Sequence, residues 1–418
     1  MSVLLFEDAS TDQLDPIAVA QPAFAVGCGG QTLADVVAAL DLPIRHLVRP
    51  HLVATQQVDF PDAPAGVPDA KQPLLLVNAR LVPSEATRRE LARLWREAKP
   101  GILRQGEHIA AALIAPADRA GLTGITNADS LLKKLGELTL APLGAELKLM
   151  QYPHDVLREH LSSLAGNLAG RIAGGEYKQA ADGVFLAPGA VLGPHVVTDT
   201  QAGPIVLEAD AIVGAFSYLS GPIHIGRGAR VAEHASVKHN VALGHTTKLG
   251  GEVSDSIIEP YSNKQHHGFI GHSYLGRWVN LGAGTCTSNL KNTYGAINME
   301  YGGRKVATGM QFLGCIVGDY AKAAINTGIF TGKSVGVCSM LYGFVTTNVP
   351  AFVNYARSFG QISEVPVEVM IATQARMFAR RSVEQRPCDI ELLEAMFKLT
   401  AGQRAAGGQR MSDEPLSL

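Results

Sequence analysis

The chain has 418 residues, of which 46% are hydrophobic and 18% are charged, a length and composition that favour a folded protein of two or more domains. Its formal net charge of -2 gives no reason to expect nucleic acid or a membrane surface as a partner. The five cysteines show no CxxC spacing, which argues against a disulfide framework or zinc site. Neither a signal peptide nor an apolar run of roughly 20 residues is apparent, so we expect a cytoplasmic protein.

The first 150 residues alternate short apolar runs with segments of helical spacing. Strands of buried type are predicted at residues 3–6, 74–77 and 108–115. Helices are predicted at residues 32–40, 84–98 and 129–138, the second with Ser84 as its N-cap. We therefore predict a small doubly wound α/β domain over residues 1–150. Helical spacing at residues 154–172, ended by Gly174 and Gly175, then predicts a connecting helix within residues 151–180.

A period of six residues begins after this helix. Aliphatic residues occupy every sixth position at Leu207, Val213, Leu219, Ile225, Val231, Val237, Leu243 and Leu249. Such a hexapeptide repeat forms one flat face of a triangular prism and points its aliphatic residue inward. The pattern predicts a parallel β-helix of eight or nine coils over residues 181–350; a β-sandwich with chance spacing is the weaker alternative.

Two stretches break this period, residues 252–269 and 286–304. Both are polar, and interruptions of a solenoid often project from its binding face. A histidine there could take a proton from an amine or hydroxyl that attacks an acyl donor, and nearby amides and lysines, such as Asn263, Lys264 and Lys291, could hold a sugar and its phosphates. The alternative is that these are solvated loop residues.

The last segment returns to helical spacing. Helices are predicted at residues 367–381 and 389–399, opened by Pro366 and Pro387. Within residues 351–400 they are expected to cap the open end of the solenoid. Residues 401–418 are predicted to be disordered.

The run from Gly250 to Asn292, which contains SNKQHHGFIGHSYLGRWVNLGAGT and SNLKN, resembles the acetyltransferase half of the bifunctional bacterial enzyme that makes UDP-N-acetylglucosamine. It is most similar to a family of sugar nucleotidyltransferases that carry the same β-helix. The resemblance implies a nucleotidyltransferase domain, a connecting helix and a left-handed parallel β-helix, in that order. It further implies acyl-CoA (acetyl-CoA) as co-substrate, a sugar phosphate or nucleotide sugar as substrate, and a homotrimer with sites between neighbouring β-helices.

The resemblance also implies roles for individual residues. His266 matches the general base, Lys238 and Asn280 match sugar contacts, and Ala283, Asn289 and Cys315 match positions near the acyl-CoA. Three positions depart from the bifunctional enzyme, because Phe269 and Leu290 replace tyrosines and Ser220 replaces an arginine. These changes leave open whether the substrate differs or acetyl transfer is lost.

The N-terminal half departs further from active nucleotidyltransferases. The segment from Asp8 to Pro16 lacks the glycines and arginine of a phosphate loop, and Asn78 stands near where a Mg²⁺-binding aspartate is expected. Mg²⁺ is therefore expected only if this domain is active. The glycines at residues 27–30 precede a helix and could cradle phosphate, although a plain tight turn is the alternative.

Three hypotheses follow for the function. The first is a transferase that moves an acyl group from acyl-CoA to a sugar or nucleotide sugar, with His266 as general base. The second is a sugar-1-phosphate nucleotidyltransferase, and the third is a non-catalytic protein that binds nucleotide sugars.

Overall fold

The computed structural model describes residues 2–68, 72–119, 121–406, 412 and 416. The N-terminal part is built on a sheet of five strands, β1 (Ser2–Phe6), β2 (Ile44–Leu47), β3 (Leu74–Asn78), β4 (Gly101–Gln105) and β5 (His108–Ile114). Their order is β2-β1-β3-β5-β4. Strand β1 is parallel to β2 and β3, whereas β5 is antiparallel to β3 and β4, so the sheet is mixed.

Helices flank this sheet, namely α1 (Leu33–Ala38), α2 (Val53–Asp59), α3 (Glu85–Glu97) and α4 (Ala128–Glu137), with short 3-10 turns at Ala9–Leu14, Ala23–Ala25, Pro50–Leu52 and Pro116–Arg119. The side chain of Ser84 accepts a hydrogen bond from the Thr87 amide and caps α3 as predicted. The predicted α/β class is confirmed. The sequence did not reveal β2 and β4, because each lies at an edge of the sheet and only part of it is buried.

Helix α5 (Pro153–Gly174) follows the N-terminal domain and ends at the predicted glycines. Its buried residues Leu164 and Leu168 pack against Val206 and Ala242 on the outside of the solenoid. No described helix is long and apolar enough to cross a bilayer.

A parallel β-solenoid follows α5. Its strands and those of its insertion are β6 (Lys178–Ala181), β7 (Val184–Leu186), β8 (Val191–Leu192), β9 (Val197–Asp199), β10 (Ile205–Leu207), β11 (Ile212–Val213), β12 (Tyr218–Ser220), β13 (Ile223–Ile225), β14 (Arg230–Val231), β15 (Ser236–Lys238), β16 (Val241–Leu243), β17 (Lys248–Leu249), β18 (Glu252–Ser254), β19 (Ile257–Ile258), β20 (Asn263–Lys264), β21 (Phe269–Gly271), β22 (Tyr274–Leu275), β23 (Asn280–Leu281), β24 (Cys286–Thr287), β25 (Asn298–Tyr301), β26 (Arg304–Ala307), β27 (Cys315–Val317), β28 (Lys322–Ala323), β29 (Gly328–Ile329), β30 (Lys333–Val335), β31 (Met340–Leu341), β32 (Phe344–Val345), β33 (Val353–Ala356) and β34 (Gln361–Glu364).

The solenoid has three faces. The first face is formed by β7, β10, β13, β16, β19, β22, β27 and β30, with β6 antiparallel at its start. The second face is formed by β8, β11, β14, β17, β20, β23, β28, β31 and β33, with β34 antiparallel at its end. The third face is formed by β9, β12, β15, β18 and β21 and continues as β24, β29 and β32. Eight coils are complete and β33 begins a ninth, in line with the eight or nine predicted.

The interior of the solenoid holds the residues of the six-residue period. They are buried in one continuous cluster that includes Leu207, Val213, Leu219, Ile225, Val231, Val237, Leu243 and Leu249. This column of aliphatic side chains is what the hexapeptide pattern predicts. The predicted parallel β-solenoid is confirmed.

The first predicted interruption, residues 252–269, is not a projecting loop. Strands β18, β19, β20 and β21 continue the coils without a break. The pattern is hard to see in the sequence because Val253 and Ile258 are only five residues apart and because Lys264 takes an inward position. The prediction of a loop here was therefore wrong.

The second interruption does leave the coil. Between β24 and β27 the chain forms an insertion that carries the antiparallel hairpin β25–β26. Ile297, Met299 and Leu313 of this insertion belong to the same buried cluster as the core of the N-terminal domain. The insertion is thus a contact between the solenoid and that domain.

The chain after β34 forms α6 (Val367–Ala379), α7 (Pro387–Leu399) and α8 (Ala401–Ala406). Phe378 of α6 packs against Trp278, with ring centroids 4.4 Å apart and the rings tilted by 32°. Met377 and Arg381 contact Lys322 and Asn263, so these helices lie against the second face of the solenoid. The predicted disorder of residues 401–418 is wrong for α8, because Arg404 is buried and forms an ion pair with Glu364. The rest of that tail, apart from residues 412 and 416, lies outside the described residues.

The three faces therefore have different surroundings. The first face packs on α5 and the N-terminal domain, through outward residues such as Ile257 and Tyr274. The second face is partly covered by the C-terminal helices. The third face is not covered by these elements and exposes Val197, Tyr218 and Phe344.

His160 of α5 forms hydrogen bonds to both the N-terminal domain and the solenoid. Its Nδ1 accepts from the Gly29 amide at 3.0 Å, and its Nε2 lies 2.7 Å from the Asn240 carbonyl oxygen of the solenoid, to which it donates. The bond from Gly29 requires the neutral imidazole, because only an unprotonated Nδ1 can accept, and burial lowers the pKa of His160 to about 4. Protonation would break the bond to Gly29.

We predict that His160 makes the fold sensitive to acid. Because its pKa is lower in the folded than in the unfolded chain, the unfolded chain binds more protons between pH 4 and 6.5, and stability falls as the pH drops through that window. The loss should reach about 3 kcal/mol below pH 4. Urea unfolding at a series of pH values should show a smaller acid loss for His160→Gln than for wild type. The exposed His195→Gln serves as control, and equal losses in wild type and His160→Gln would contradict the assignment.

Candidate functional site

His266 lies at the corner between β20 and β21, where the second face meets the third, and its side chain is exposed. The carbonyl oxygen of His267 accepts from the Gly284 amide of the next coil at 3.0 Å. One strand back, the side chains of Asn263 and Asn280 pair, with Nδ2 and Oδ1 3.4 Å apart. His266, Asn280 and the Gly282–Gly284 corner that contains Ala283 therefore occupy adjacent coils along one edge of the prism.

Arg381, just after α6, reaches the same edge. Its guanidinium donates to Oδ1 of Asn263, so this asparagine, predicted to bind substrate, also holds the C-terminal segment in place. No sequence pattern identified Arg381, because its proximity depends on how the C-terminal helices fold back along the solenoid.

The third face brings further predicted residues into line. Lys238 of β15 forms an ion pair with Glu252 of β18, with Nζ and Oε1 3.0 Å apart and both side chains partly exposed. On the following coils Phe269 and Asn289 lie over Gly271, where a Cβ atom would come within 2.5 Å of the phenyl ring and 2.6 Å of Nδ2. Glycine at this position lets both side chains approach the sheet.

Asn289 is held by a network that the sequence did not reveal. Its Nδ2 donates to Nδ1 of His272 at 3.0 Å, and Nε2 of His272 lies 3.8 Å from Oδ2 of Asp255. Asp255 in turn accepts from Asn240 at 3.1 Å. Burial lowers the pKa of His272, although Asp255 opposes the effect, and the neutral ring suits an accepting Nδ1. The members come from corners of different coils, so no sequence spacing marks them.

Two predicted site residues lie inside the solenoid. Lys264 is 2% exposed and its ammonium donates to three backbone carbonyls. Cys315 is fully buried among aliphatic side chains, and burial raises the pKa of its thiol to about 12. Each occupies an inward position of its strand. Contacts of Lys264 with substrate and of Cys315 with cofactor were expected, but neither side chain reaches the surface of the solenoid.

Lys291 lies on the insertion, and its Nζ donates to the Ala296 carbonyl at 2.7 Å. It lines a broad cleft of about 1390 Å³ between the insertion, residues 12–16 and Lys333. This cleft does not include His266, so the structure does not bring Lys291 together with the other predicted residues.

A buried ion pair between Arg80 and Asp8 lies at the carboxyl ends of β1 and β3. Arg80 is fully buried and binds Asp8 through two bonds, Nε to Oδ1 at 3.0 Å and Nη2 to Oδ2 at 2.8 Å, while Asn78 donates to the same carboxylate at 2.8 Å. Burial tends to raise the pKa of Asp8, but the bonds and charge of Arg80 keep it below its ordinary value. With its oxygens committed in this way, Asp8 does not fit a Mg²⁺ ligand. Within the described residues no cluster of three or more His, Cys, Asp or Glu side chains could hold a metal.

The glycine-rich turn at residues 27–30 serves a contact between domains. The Gly27 amide donates to Oε1 of Glu259 on the solenoid at 2.7 Å, and the Gly29 amide donates to His160. Burial raises the pKa of Glu259 to about 7. The turn borders a cleft of about 680 Å³ against the solenoid. With these two amides already bound, the tight-turn interpretation fits better than a phosphate cradle.

Comparisons with known proteins agree with this architecture. Residues 3–172 match the family model of sugar nucleotidyl transferases. The bifunctional sugar-1-phosphate nucleotidylyltransferase/acetyltransferase of Sulfurisphaera tokodaii is 28% identical over 148 residues, 35% of this chain and 37% of the relative. The bifunctional protein GlmU of Azorhizobium caulinodans is 30% identical over 142 residues, 32% of each chain.

The resemblance predicted from the sequence is confirmed. The chain nevertheless matches only about a third of the length of these curated relatives. Among solved structures, the UDP-N-acetylglucosamine acyltransferase of Francisella novicida aligns with 54% of this chain and 76% of its own at 14% identity and a TM-score of 0.34. The Arabidopsis UDP-N-acetylglucosamine acyltransferase aligns with 55% and 96% at 12% identity and a TM-score of 0.25. These scores are too low to add to the assignment.

We predict that the buried ion pair between Asp8 and Arg80 stabilises the fold. Arg80→Met leaves Asp8 buried without its partner and should cost about 3–5 kcal/mol of unfolding free energy. Arg88→Met, which breaks a partly exposed pair with Glu85, should cost less than about 1 kcal/mol. Urea unfolding of both variants measures the difference in unfolding free energy. Similar small losses in the two variants would contradict a stabilising role for the pair between Asp8 and Arg80.

Proposed function

We propose that this protein is an acyl-CoA-dependent acyltransferase that acts on a sugar or nucleotide sugar, with His266 as general base. The observation that carries the proposal is the exposed position of His266 at the border of the uncovered third face, next to the corner of Gly282–Gly284. The relatives' names combine sugar-phosphate chemistry with acetyl transfer, which supports the same class of reaction.

In this proposal His266 removes a proton from the amine or hydroxyl of the acceptor as that group attacks the thioester carbonyl. The new bond joins the acceptor to the acyl carbon, the carbon–sulfur bond breaks, and the proton passes from His266 to the departing CoA sulfur. His266 is regenerated without a metal ion or a covalent intermediate.

The neighbouring residues divide between the two substrates. Lys238 offers an ammonium to the phosphates of the sugar substrate, with Glu252 fixing its position at 3.0 Å. Asn280 contacts the sugar, and Asn263 supports it from the adjacent strand. Ala283 and Asn289 line the path of the acyl-CoA, because Ala283 lies on the corner above His266 and Asn289 is held at the third face by His272.

A homotrimer would complete this site. Large apolar side chains are exposed on the third face and its corners, namely Val197, Phe216, Ile325, Phe330 and Phe344. Apolar patches of this kind mark protein contacts or ligand sites. We propose that a second copy of the chain packs near this face and closes the site at His266.

The proposal predicts that His266→Ala loses about 10²- to 10⁴-fold in rate, with the oligomer unchanged. His267→Ala is the matched control, since it removes an exposed neighbouring imidazole and leaves the base. Chromatographic detection of CoA released from acetyl-CoA, with amino-sugar phosphates and nucleotide sugars as acceptors, measures activity, and sedimentation equilibrium measures mass. Absence of acetyl-CoA binding by calorimetry would overturn the acyltransferase proposal, and a wild-type mass of one chain would overturn the trimer.

A second candidate is nucleotidyl transfer by the N-terminal domain, which the family match over residues 3–172 favours. The closed pair of Asp8 and Arg80 weighs against it. Release of pyrophosphate from a nucleoside triphosphate and a hexose 1-phosphate would establish this activity. Binding of nucleotide sugars without either turnover would instead select the non-catalytic alternative.

A further inference from the structure

Lys264 stands where the solenoid elsewhere places an aliphatic side chain. It is the second residue of β20, in register with Leu249 of the preceding coil. Both residues are almost completely buried, at 2% and 1% exposure. An ammonium group therefore occupies a position in the interior column.

Three backbone carbonyl oxygens accept hydrogen bonds from this ammonium. Its Nζ donates to Gly250 at 2.8 Å, to His266 at 2.6 Å and to Gly268 at 3.0 Å, which satisfies all three of its protons. Two of these carbonyls belong to the corner that carries His266. Lys264 thus links that corner to Gly250 of the preceding coil through hydrogen bonds inside the solenoid.

Gly251 provides the space for the ammonium. Its backbone has a φ of +71°, and a Cβ atom there would lie 2.6 Å from Nζ of Lys264, 2.9 Å from the Gly268 oxygen and 3.0 Å from the His266 oxygen. At Gly250 a Cβ atom would lie 2.1 Å from the Gln265 oxygen. The Gly-Gly pair and Lys264 are therefore parts of one arrangement.

This arrangement is costly for stability. Burial lowers the pKa of Lys264 to about 8, and the interaction with Cys286 opposes this shift. No carboxylate among the described residues lies within ion-pair distance of its ammonium. Burying a cation against neutral dipoles alone is unfavourable compared with an aliphatic side chain, so its position calls for a role other than packing.

We propose that Lys264 is a positioning residue, whose ammonium fixes the corner of residues 265–268 from inside the solenoid and thereby the direction of the His266 imidazole. The catalytic part of this statement rests on the proposed function of His266. The proposed ordering of the corner does not depend on that function.

Two variants remove the interaction by different routes. Lys264→Met replaces the ammonium with an apolar chain of similar length, and Gly251→Ala fills the space that the ammonium occupies. Leu281→Met is the control for an inward substitution on the next coil. Gly228→Ala is the control for alanine at positive φ, since Gly228 has a φ of +62° and open space around it.

Amide hydrogen exchange of the full chain tests the ordering of the corner. The Glu252 and Gly284 amides donate to the carbonyls of Gly268 and His267, so both should exchange about 10-fold faster in Lys264→Met and Gly251→Ala, and at wild-type rates in the two controls. Unchanged exchange in both test variants would overturn the proposal. This readout holds whatever reaction the protein performs.

The value of kcat and the pH dependence of stability are two measurements that a loss of packing alone would not change. With acetyl-CoA, Lys264→Met should lower kcat about 100-fold, as expected for a misplaced base, with KM within about twofold of wild type. Wild type should also gain stability from about pH 8 to 10.5, because the unfolded chain binds more protons there, and Lys264→Met should lack this gain. An unaltered kcat or an unaltered pH slope would contradict the role assigned to Lys264.

Discussion

Hydrogen bonds between the backbones of successive coils determine where each solenoid residue points. Leu243, for example, lies in register with Ile225 below it and Ile258 above it, and all three face the interior. The same stacking brings outward residues of neighbouring coils together, as for Lys238 and Glu252. Both the core and the candidate site depend on this register.

The sequence predicted the solenoid because inward positions repeat every six residues and are almost all aliphatic. It failed at residues 252–269, where the chain keeps its coils although Lys264 replaces an apolar residue and one spacing is shorter. Burial of a cation there is possible only because backbone carbonyls surround it. Edge strands such as β2 were missed for a different reason, since a half-exposed strand has no continuous apolar run.

The candidate site was predictable where it lies within one motif and unpredictable where it depends on packing. The run that contains His266, Asn280 and Ala283 spans two adjacent coils, so the sequence itself places these residues on one edge. Arg381 and the network around His272 come from distant segments, and no local pattern indicates their proximity. The inward direction of Cys315 likewise follows from strand register alone.

The three faces have different neighbours, because the first packs on the N-terminal domain and the second on the C-terminal helices. The third is not covered by these elements, and we propose it as the surface for ligands and a further copy of the chain. We propose that acyl-CoA binds at the border of this third face. Hydrogen exchange measured by mass spectrometry, with and without acetyl-CoA, tests it most directly. We expect protection of residues 265–271 and 282–289, whereas protection confined to the cleft beside residues 27–31 would rule out binding at the third face.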